Sequence, residues 1–534
     1  MLSVVAPPPV DGPASASPDA DRRIGHAGPE RVRFLEDGRA HAYPLPAPHT
    51  TRVRSRLARL MAVSPVRRQS LIGLFTTIGS TLLGFAATVY IAHTAGAGAL
   101  GAFYVLSAYL GFLLLASDPG LGGAAAQRIA EHDEPAAHFS AYATVRAGLA
   151  VAVAAGLVAA GPLFVDLGTS GLVPWLALAL LASTLAGIVA TGVWATGQAG
   201  IGQAAELVGV GARVAVQVGA VAAGYGAAGL AGGLVAGTIG AALVNRRFLS
   251  LRLTRFGVRH LASLAPFALW SFLITLVAVV SANADTVLLG YLLSDREVAL
   301  YRTPLQLAAL VVLSTMPIRA SLAPRIAGWT RAGALGEVVD ALARAWTFAL
   351  LLAVPAAVGG CLLADQLLYF LYGAEFAEAG PALALLLIAE LVSVGSLLEG
   401  MALSAIGRPR GAFVAAGAGA AALVLGDLAL IPAFGVAGAA TALLASTTVA
   451  TVLARVLLGR TVAVRLERRP LGAIALGAAL MAGAVLAYRA VLPPDSLPLL
   501  VGAVVLGAAV YLGAVLGLDP AIRAEVAGLV RAVL

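Results

Sequence analysis

Tyr225-Gly226-Ala227-Ala228-Gly229 returns 209 residues later as Phe434-Gly435-Val436-Ala437-Gly438. The same offset carries Arg246 onto Arg455, at the end of the apolar run that follows each turn. The copies lie inside a chain that is apolar almost throughout. A membrane chain built from two like halves reads as a transporter fold before any further motif is considered.

Working outward, 60% of the 534 residues are hydrophobic and 12% are charged. Soluble domains carry about 25% charge, so the solvent for most of this chain is lipid. The 61 glycines fit helices that approach one another through small residues. All 35 basic residues are Arg, which, with the Ala richness, reads as the bias of a GC-rich bacterial genome. The net charge of +8 is carried at helix ends and is not a nucleic-acid footprint. Cys361 is the single cysteine, which excludes an intrachain disulfide and a cysteine metal cluster. Residues 1–68 are rich in Pro, Asp and Arg and read as a disordered cytoplasmic tail. The Arg-rich end of that tail is either a topology signal or a clamp on anionic lipid headgroups.

Roughly 20 apolar residues cross a bilayer core of about 30 Å. Runs of that kind fall near 71–92, 100–116, 145–165, 175–196, 207–223 and 227–244, then 264–282, 298–316, 345–363, 382–402, 413–431 and 436–458. Two more fall near 471–491 and 497–516, for about 14 spans. Basic breaks separate them, with Arg246, Arg247, Arg252, Arg255 and Arg259 in one and Arg455, Arg460, Arg465, Arg468 and Arg469 in another. The bias places both termini in the cytoplasm. The first six and second six spans then start and end on the same sides, as parallel repeats. Ala99-Leu100-Gly101 matching Glu297-Val298-Ala299, with Pro119 matching Pro317, supports the pairing at an offset of 198. The expected organisation is an all-α integral membrane protein. It has six-helix bundles over 69–250 and 260–462, extra helices over 470–518 and a cytoplasmic end over 519–534.

Several stretches resemble one known family. They are Asn283-x-Asp285-x-x-Leu288-Leu289-Gly290 with Val298-Ala299-Leu300-Tyr301, and Leu371-Tyr372-Gly373-x-x-Phe376. Leu403-x-Ala405-x-Gly407-Arg408-Pro409, the Leu430–Ala440 turn and Asp118-x-Gly120-Leu121 with Arg128 complete the set. Over about residues 70–520 the chain is similar to the polysaccharide transporters, or oligosaccharide flippases, of the multidrug/oligosaccharidyl-lipid/polysaccharide exporter superfamily. The resemblance implies two bundles around a central cavity and alternating access. It also implies transfer of polyprenyl-diphosphate-linked glycan units across the cytoplasmic membrane, with glycosyltransferases and a polymerase of the same pathway as partners. Two positions depart from the pattern: Arg302 follows Tyr301 where a small residue is usual, and Asp427 stands in place of an Asn.

A charge inside a span costs about 2.5–3.5 kcal/mol on insertion scales, so each needs a reason. Arg213 reads as the only Arg near the middle of a span, as a diphosphate contact or as the partner of Glu206. Asp285 and Arg302 flank a short turn, and a salt bridge closing that hairpin is favoured over a substrate or ion site. Glu390 is the cavity candidate of its span and a candidate proton or cation site. Glu399, nine residues on, must face the other way. Asp118 precedes Pro119, so a helix break is expected there, with cavity lining as the second role. Asp427, in the outer part of its span, is a cavity candidate or is simply solvated by water there. Arg128 and Arg344 are candidates for the cytoplasmic entrance, or for headgroup contact. No cofactor, metal or catalytic set is expected. The longest outer loop, 363–381, holds only Asp365, Glu375 and Glu378, too little for the rival reading as a lipid-linked glycosyltransferase or glycan polymerase. A lipid II flippase or a cation-coupled multidrug exporter is the rival within transporters.

Overall fold

The computed structural model describes residues 65–131, 134–160, 171–464, 467–520 and 522–524. The expected disordered tail lies outside them, apart from the start of the first helix, as does most of the expected cytoplasmic end. The described residues form helices, turns and short connections, without a strand.

The helices run α1 Pro65–Ser117, α2 Leu121–Ala130, α3 Pro135–Ala159, α4 Val173–Ala195, α5 Ala199–Ala222 and α6 Gly226–Phe248. The second half runs α7 Val258–Leu292, α8 Asp295–Ala308, a short 3-10 turn, α9 Thr315–Arg331, α10 Leu335–Leu362, α11 Ala364–Tyr372, α12 Ala374–Ala377, α13 Gly380–Ala405 and α14 Pro409–Gly459. Two more follow, α15 Arg468–Val491 and α16 Leu497–Leu518.

Eleven of these are long and apolar enough to cross a membrane. Two hold a second span. Straight, the 51 residues of α14 would run about 76 Å, far beyond a bilayer core. Instead α14 folds back at Gly435 (φ 57°), whose left-handed backbone favours a residue without Cβ. Gly419 then faces Ser446 and Ala450, and a methyl at Gly426 would lie 2.9 Å from Ala442. In the same way α1 folds at Gly96 (φ 75°). Thr88 and Tyr104, eight residues either side of Gly96, both donate to Gln306 Oε1, at 3.3 and 3.4 Å. The α8–α9 pair, bent by 48°, has the length and composition of one further span. By length and composition, with both arms of α1 and of α14 counted, the described helices thus have room for fourteen spans.

The repeated turn is a repeated hairpin. The α5–α6 hairpin turns at Gly226 (φ 50°). Gly209 packs on Gly237 and Ala241, and Gly233 on Gln217, the ladder that Gly419 and Gly426 make in α14. The paired arginines diverge. Arg246 is exposed, whereas Arg455 lies 2.6 Å from the buried Glu399 and over the Trp346 ring.

All the turns at Gly96, Ser294, Gly226, Gly373 and Gly435 lie toward one face, the turn face; the basic breaks lie toward the other, the basic face. At the turn face the two halves meet with almost no room: a methyl on Gly101 would fall 1.6 Å from the carbonyl oxygen of Asp295. At the basic face a methyl on Gly120 would fall 2.1 Å from the Ala268 carbonyl oxygen and 2.5 Å from the Phe272 nitrogen of α7. The extra helices lean on α10 through their own apolar cluster, and Tyr511 donates to the Leu351 carbonyl at 2.9 Å.

Two expectations shift. The third span starts about ten residues earlier than its apolar run, because Pro135 sits where a helix accepts proline, in its first turn. The loop at 363–381 is mostly helical, as α11 and α12.

Candidate functional site

A cavity of about 500 Å³ lies between the halves in the turn-face part of the protein. Both arms of α1, together with α5, α7, α8, α13 and α14, supply its wall. Four of the expected charges meet there: Arg213, Asp285, Arg302 and Glu390.

Arg213 projects from α5 toward Gly84 of α1. Its Nε is buried with no acceptor, and among the described residues it has no carboxylate within ion-pair distance. The pairing with Glu206 is not made; seven residues separate the two, about two helical turns. Tyr104, Thr88 and Gln306 form a neutral hydrogen-bonded set on the same wall.

The expected Asp285–Arg302 salt bridge is absent. Asp285 is buried, and its Oδ2 accepts the Tyr301 hydroxyl at 2.7 Å. Its Oδ1 accepts the backbone N–H and hydroxyl of Thr286, at 2.6 and 3.0 Å. Arg302, one residue beyond Tyr301, is turned by about 100° and points elsewhere. It donates to the Ala282 carbonyl at 3.1 Å and also lines the cavity. Glu390 faces the cavity with Ser393 Oγ 3.1 Å from its Oε2. Glu399 faces away into its pairing with Arg455, the opposition that nine residues on a helix require.

Asp118 and Asp427 are not on this cavity wall. Asp118 sits at the break between α1 and α2, where its Oδ1 accepts the Gly122 N–H at 2.9 Å and its Oδ2 lies 2.9 Å from Arg146. Tyr142 completes the cluster: its hydroxyl is 3.5 Å from Asp118 and also receives an Arg146 N–H. Arg146 thus corrects the reading of Arg213 as the only mid-span Arg. The early start of α3 puts Arg146 in the middle of that helix, and the proline at 135 was the signal for it. Asp427 is fully buried rather than water-facing, and neither of its oxygens has a hydrogen-bond partner among the described residues.

At the basic face Arg128 is already engaged. It pairs with Glu131 at 2.8 Å, donates to the Ser263 carbonyl at 3.3 Å and covers the Phe267 ring. Beside it Glu134 takes Arg259 at 2.8 Å and His260 Nε2 at 2.7 Å. The His260 hydrogen bond, with help from Arg259, holds the Glu134 carboxyl below its ordinary value of 4.5. Arg344 is exposed on the first turns of α10. At the turn face Arg296 bridges Glu375 (3.1 Å) and Glu378 (2.5 Å), and Glu375 also accepts the Ala97 N–H, tying the first half to the second.

A cavity lined by four charged side chains between two repeated membrane bundles defines a multi-span membrane protein of transporter architecture. Residues 98–381 match the family model described as polysaccharide biosynthesis protein, and the chain belongs to that family. It is 24% identical to the probable low-salt glycan biosynthesis flippase Agl15 of Haloferax volcanii over 423 residues, which cover 78% of this chain and 88% of that protein. It is 27% identical over 407 residues to the probable flippase AglR of the same archaeon, covering 73% and 83%. Among solved structures, the lipid II flippase MurJ in an inward closed conformation superposes with a TM-score of 0.74 at 14% identity, covering 84% of this chain and 98% of that one. An inward-facing multidrug resistance MATE family transporter gives 0.53 at 15% identity, covering 71% and 95%. The structural likenesses establish the fold.

Proposed function

We propose that the protein is a flippase that moves polyprenyl-diphosphate-linked oligosaccharide units across the membrane by alternating access. One observation carries the reading: Arg213 faces the cavity between the halves without an anionic partner of its own. A guanidinium held inside a membrane is costly unless an anion or water reaches it, and a diphosphate passing through the cavity is such an anion. Arg302 adds a second set of donors on the facing wall. The family membership and the two archaeal relatives support a glycan-linked substrate. The basic face is assigned to the cytoplasm, with both termini there, because Arg concentrates on that side. Anionic lipids bind the same face, and glycosyltransferases and a polymerase act before and after transfer.

Purified protein in liposomes carrying a polyprenyl-diphosphate oligosaccharide tests this directly. The glycan becomes accessible to an added lectin on the far leaflet faster than in protein-free vesicles. Equal rates with and without protein would overturn the reading.

A further inference from the structure

A second chamber, of about 870 Å³, opens in the basic-face part of the second half, among α9, α13 and α14. It is larger than the central cavity and shares Ser281 and Leu443 with it, so the two adjoin. Its size is within the range of ligand pockets, roughly 300–1,000 Å³.

The chemistry of its wall is selective. Ser396, Ser404, Ser446 and Thr447 line it, and each donates its proton to a backbone carbonyl of the helices that carry them. Their oxygens remain as acceptors. Arg319 also lines the chamber, and its Nε is buried without an acceptor. No Asp or Glu is among the lining residues, so the chamber offers no carboxylate to a cation. The rest of the wall is Ala, Gly, Leu, Met and Pro. A polyprenyl tail there would leave Arg319 and the hydroxyl oxygens facing hydrocarbon, at a cost for each unpaired group. A sugar chain answers all three features. Its hydroxyls donate to the serine and threonine oxygens, its ring and hydroxyl oxygens accept from Arg319, and its C–H faces lie on the small apolar residues.

We propose that this chamber is a glycan subsite, which holds the distal sugars of the oligosaccharide while the diphosphate lies in the adjoining central cavity. The proposal rests on the flippase reading and names a part of its substrate path. It makes the chamber a determinant of which chain lengths are carried.

Gly400 provides a clean plug. It lines the chamber, and a Cβ added there meets nothing within 4 Å, so Gly400→Leu starts its side chain into open space. Arg319→Gln removes the charge and most of the N–H donors while keeping a polar side chain. Two lipids serve as probes in liposomes, one polyprenyl diphosphate bearing a single sugar and one bearing a long oligosaccharide. Both variants are expected to slow the long-chain lipid about tenfold or more, Arg319→Gln through a lost charged hydrogen bond and Gly400→Leu through lost space, while the one-sugar lipid keeps its wild-type rate. Equal slowing of both lipids, or of neither, would overturn the subsite. Should Gly400→Leu fail to fold, Arg319→Gln carries the test alone. A wild type that moves neither lipid overturns the flippase reading instead, and so separates the two failures.

Discussion

Arg146 on α3 and Arg213 on α5 both lie within membrane-length helices of the first half, yet their surroundings are opposite. Arg146 is enclosed, with Asp118 at 2.9 Å and the Tyr142 hydroxyl alongside, and its side chain is 11% exposed. Arg213 stands on a cavity wall with no carboxylate within ion-pair distance. The insertion cost is similar for both, about 2.5–3.5 kcal/mol. Arg146 recovers it from a permanent partner and fastens the α1–α2 break to α3. Arg213 recovers it only from what enters the cavity. The contrast teaches that a charge in a span is read by what faces it, not by its depth.

The largest effect is expected at the closed pair. Arg146→Gln leaves Asp118 without its cation, and breaking a buried pair on one side costs about 3–5 kcal/mol. Folded protein recovered by size-exclusion chromatography should fall sharply. Adding Asp118→Asn should return much of it, since no lone charge then remains. An Arg146→Gln variant as abundant as wild type would erase the contrast.

Next comes Arg213→Gln, which keeps side-chain reach and some hydrogen bonding. Folded protein is expected at wild-type levels, and translocation of the diphosphate lipid to fall about tenfold or more, as for a lost charged hydrogen bond. Lost abundance would make Arg213 a brace, as Arg146 is.

Glu390 sharpens the comparison from the acidic side. It faces the same cavity, held only by Ser393, and is the candidate for proton or cation coupling. Glu390→Gln should slow transport severalfold and flatten its dependence on pH or cation concentration. Unchanged transport under every ionic condition would remove it from the mechanism.

The smallest effect belongs to Glu134, which makes the same kind of ion pair as Asp118 but at an exposed site. Its carboxyl is held below 4.5 chiefly by the His260 hydrogen bond, so its contribution is complete above that pH and is lost as pH falls further, through the folded-state value. At pH 8 the thermal unfolding temperature of Glu134→Gln should therefore lie a small step below wild type. The gap should close in acid, as pH falls below 4.5 and through the folded-state value. A gap as wide as that of Arg146→Gln would refute the ranking by burial.

Much of this was legible in the residues alone. Apolar run length sets a span wherever the solvent is hydrocarbon, so fourteen spans could be counted from composition. Gly226 and Gly435 marked a repeated turn, visible as letters, because a residue without Cβ takes those backbone angles freely. The Asp118-Pro119 break and the opposition of Glu390 and Glu399 follow from local geometry that any helix obeys. The meeting of Arg213, Asp285, Arg302 and Glu390 on one cavity did not have to follow, but cavity-facing charges are the cheapest kind in lipid.

Partner choice was decided elsewhere. Asp285 takes Tyr301 and not Arg302 because one residue of helix rotation separates the two candidates, and only the packing of α7 on α8 settles which faces inward. Arg146 was hidden by an apolar run that began later than its helix. Asp427 is buried by neighbours from distant parts of the chain, and the chamber beside Arg319 exists only where α9, α13 and α14 fail to close. Local sequence determines how many spans there are and where they turn, because hydrophobic length and glycine backbone freedom act within a few residues. Tertiary structure decides which charges are paired and which are left for a ligand, because those energies depend on side chains that meet only after the helices have packed.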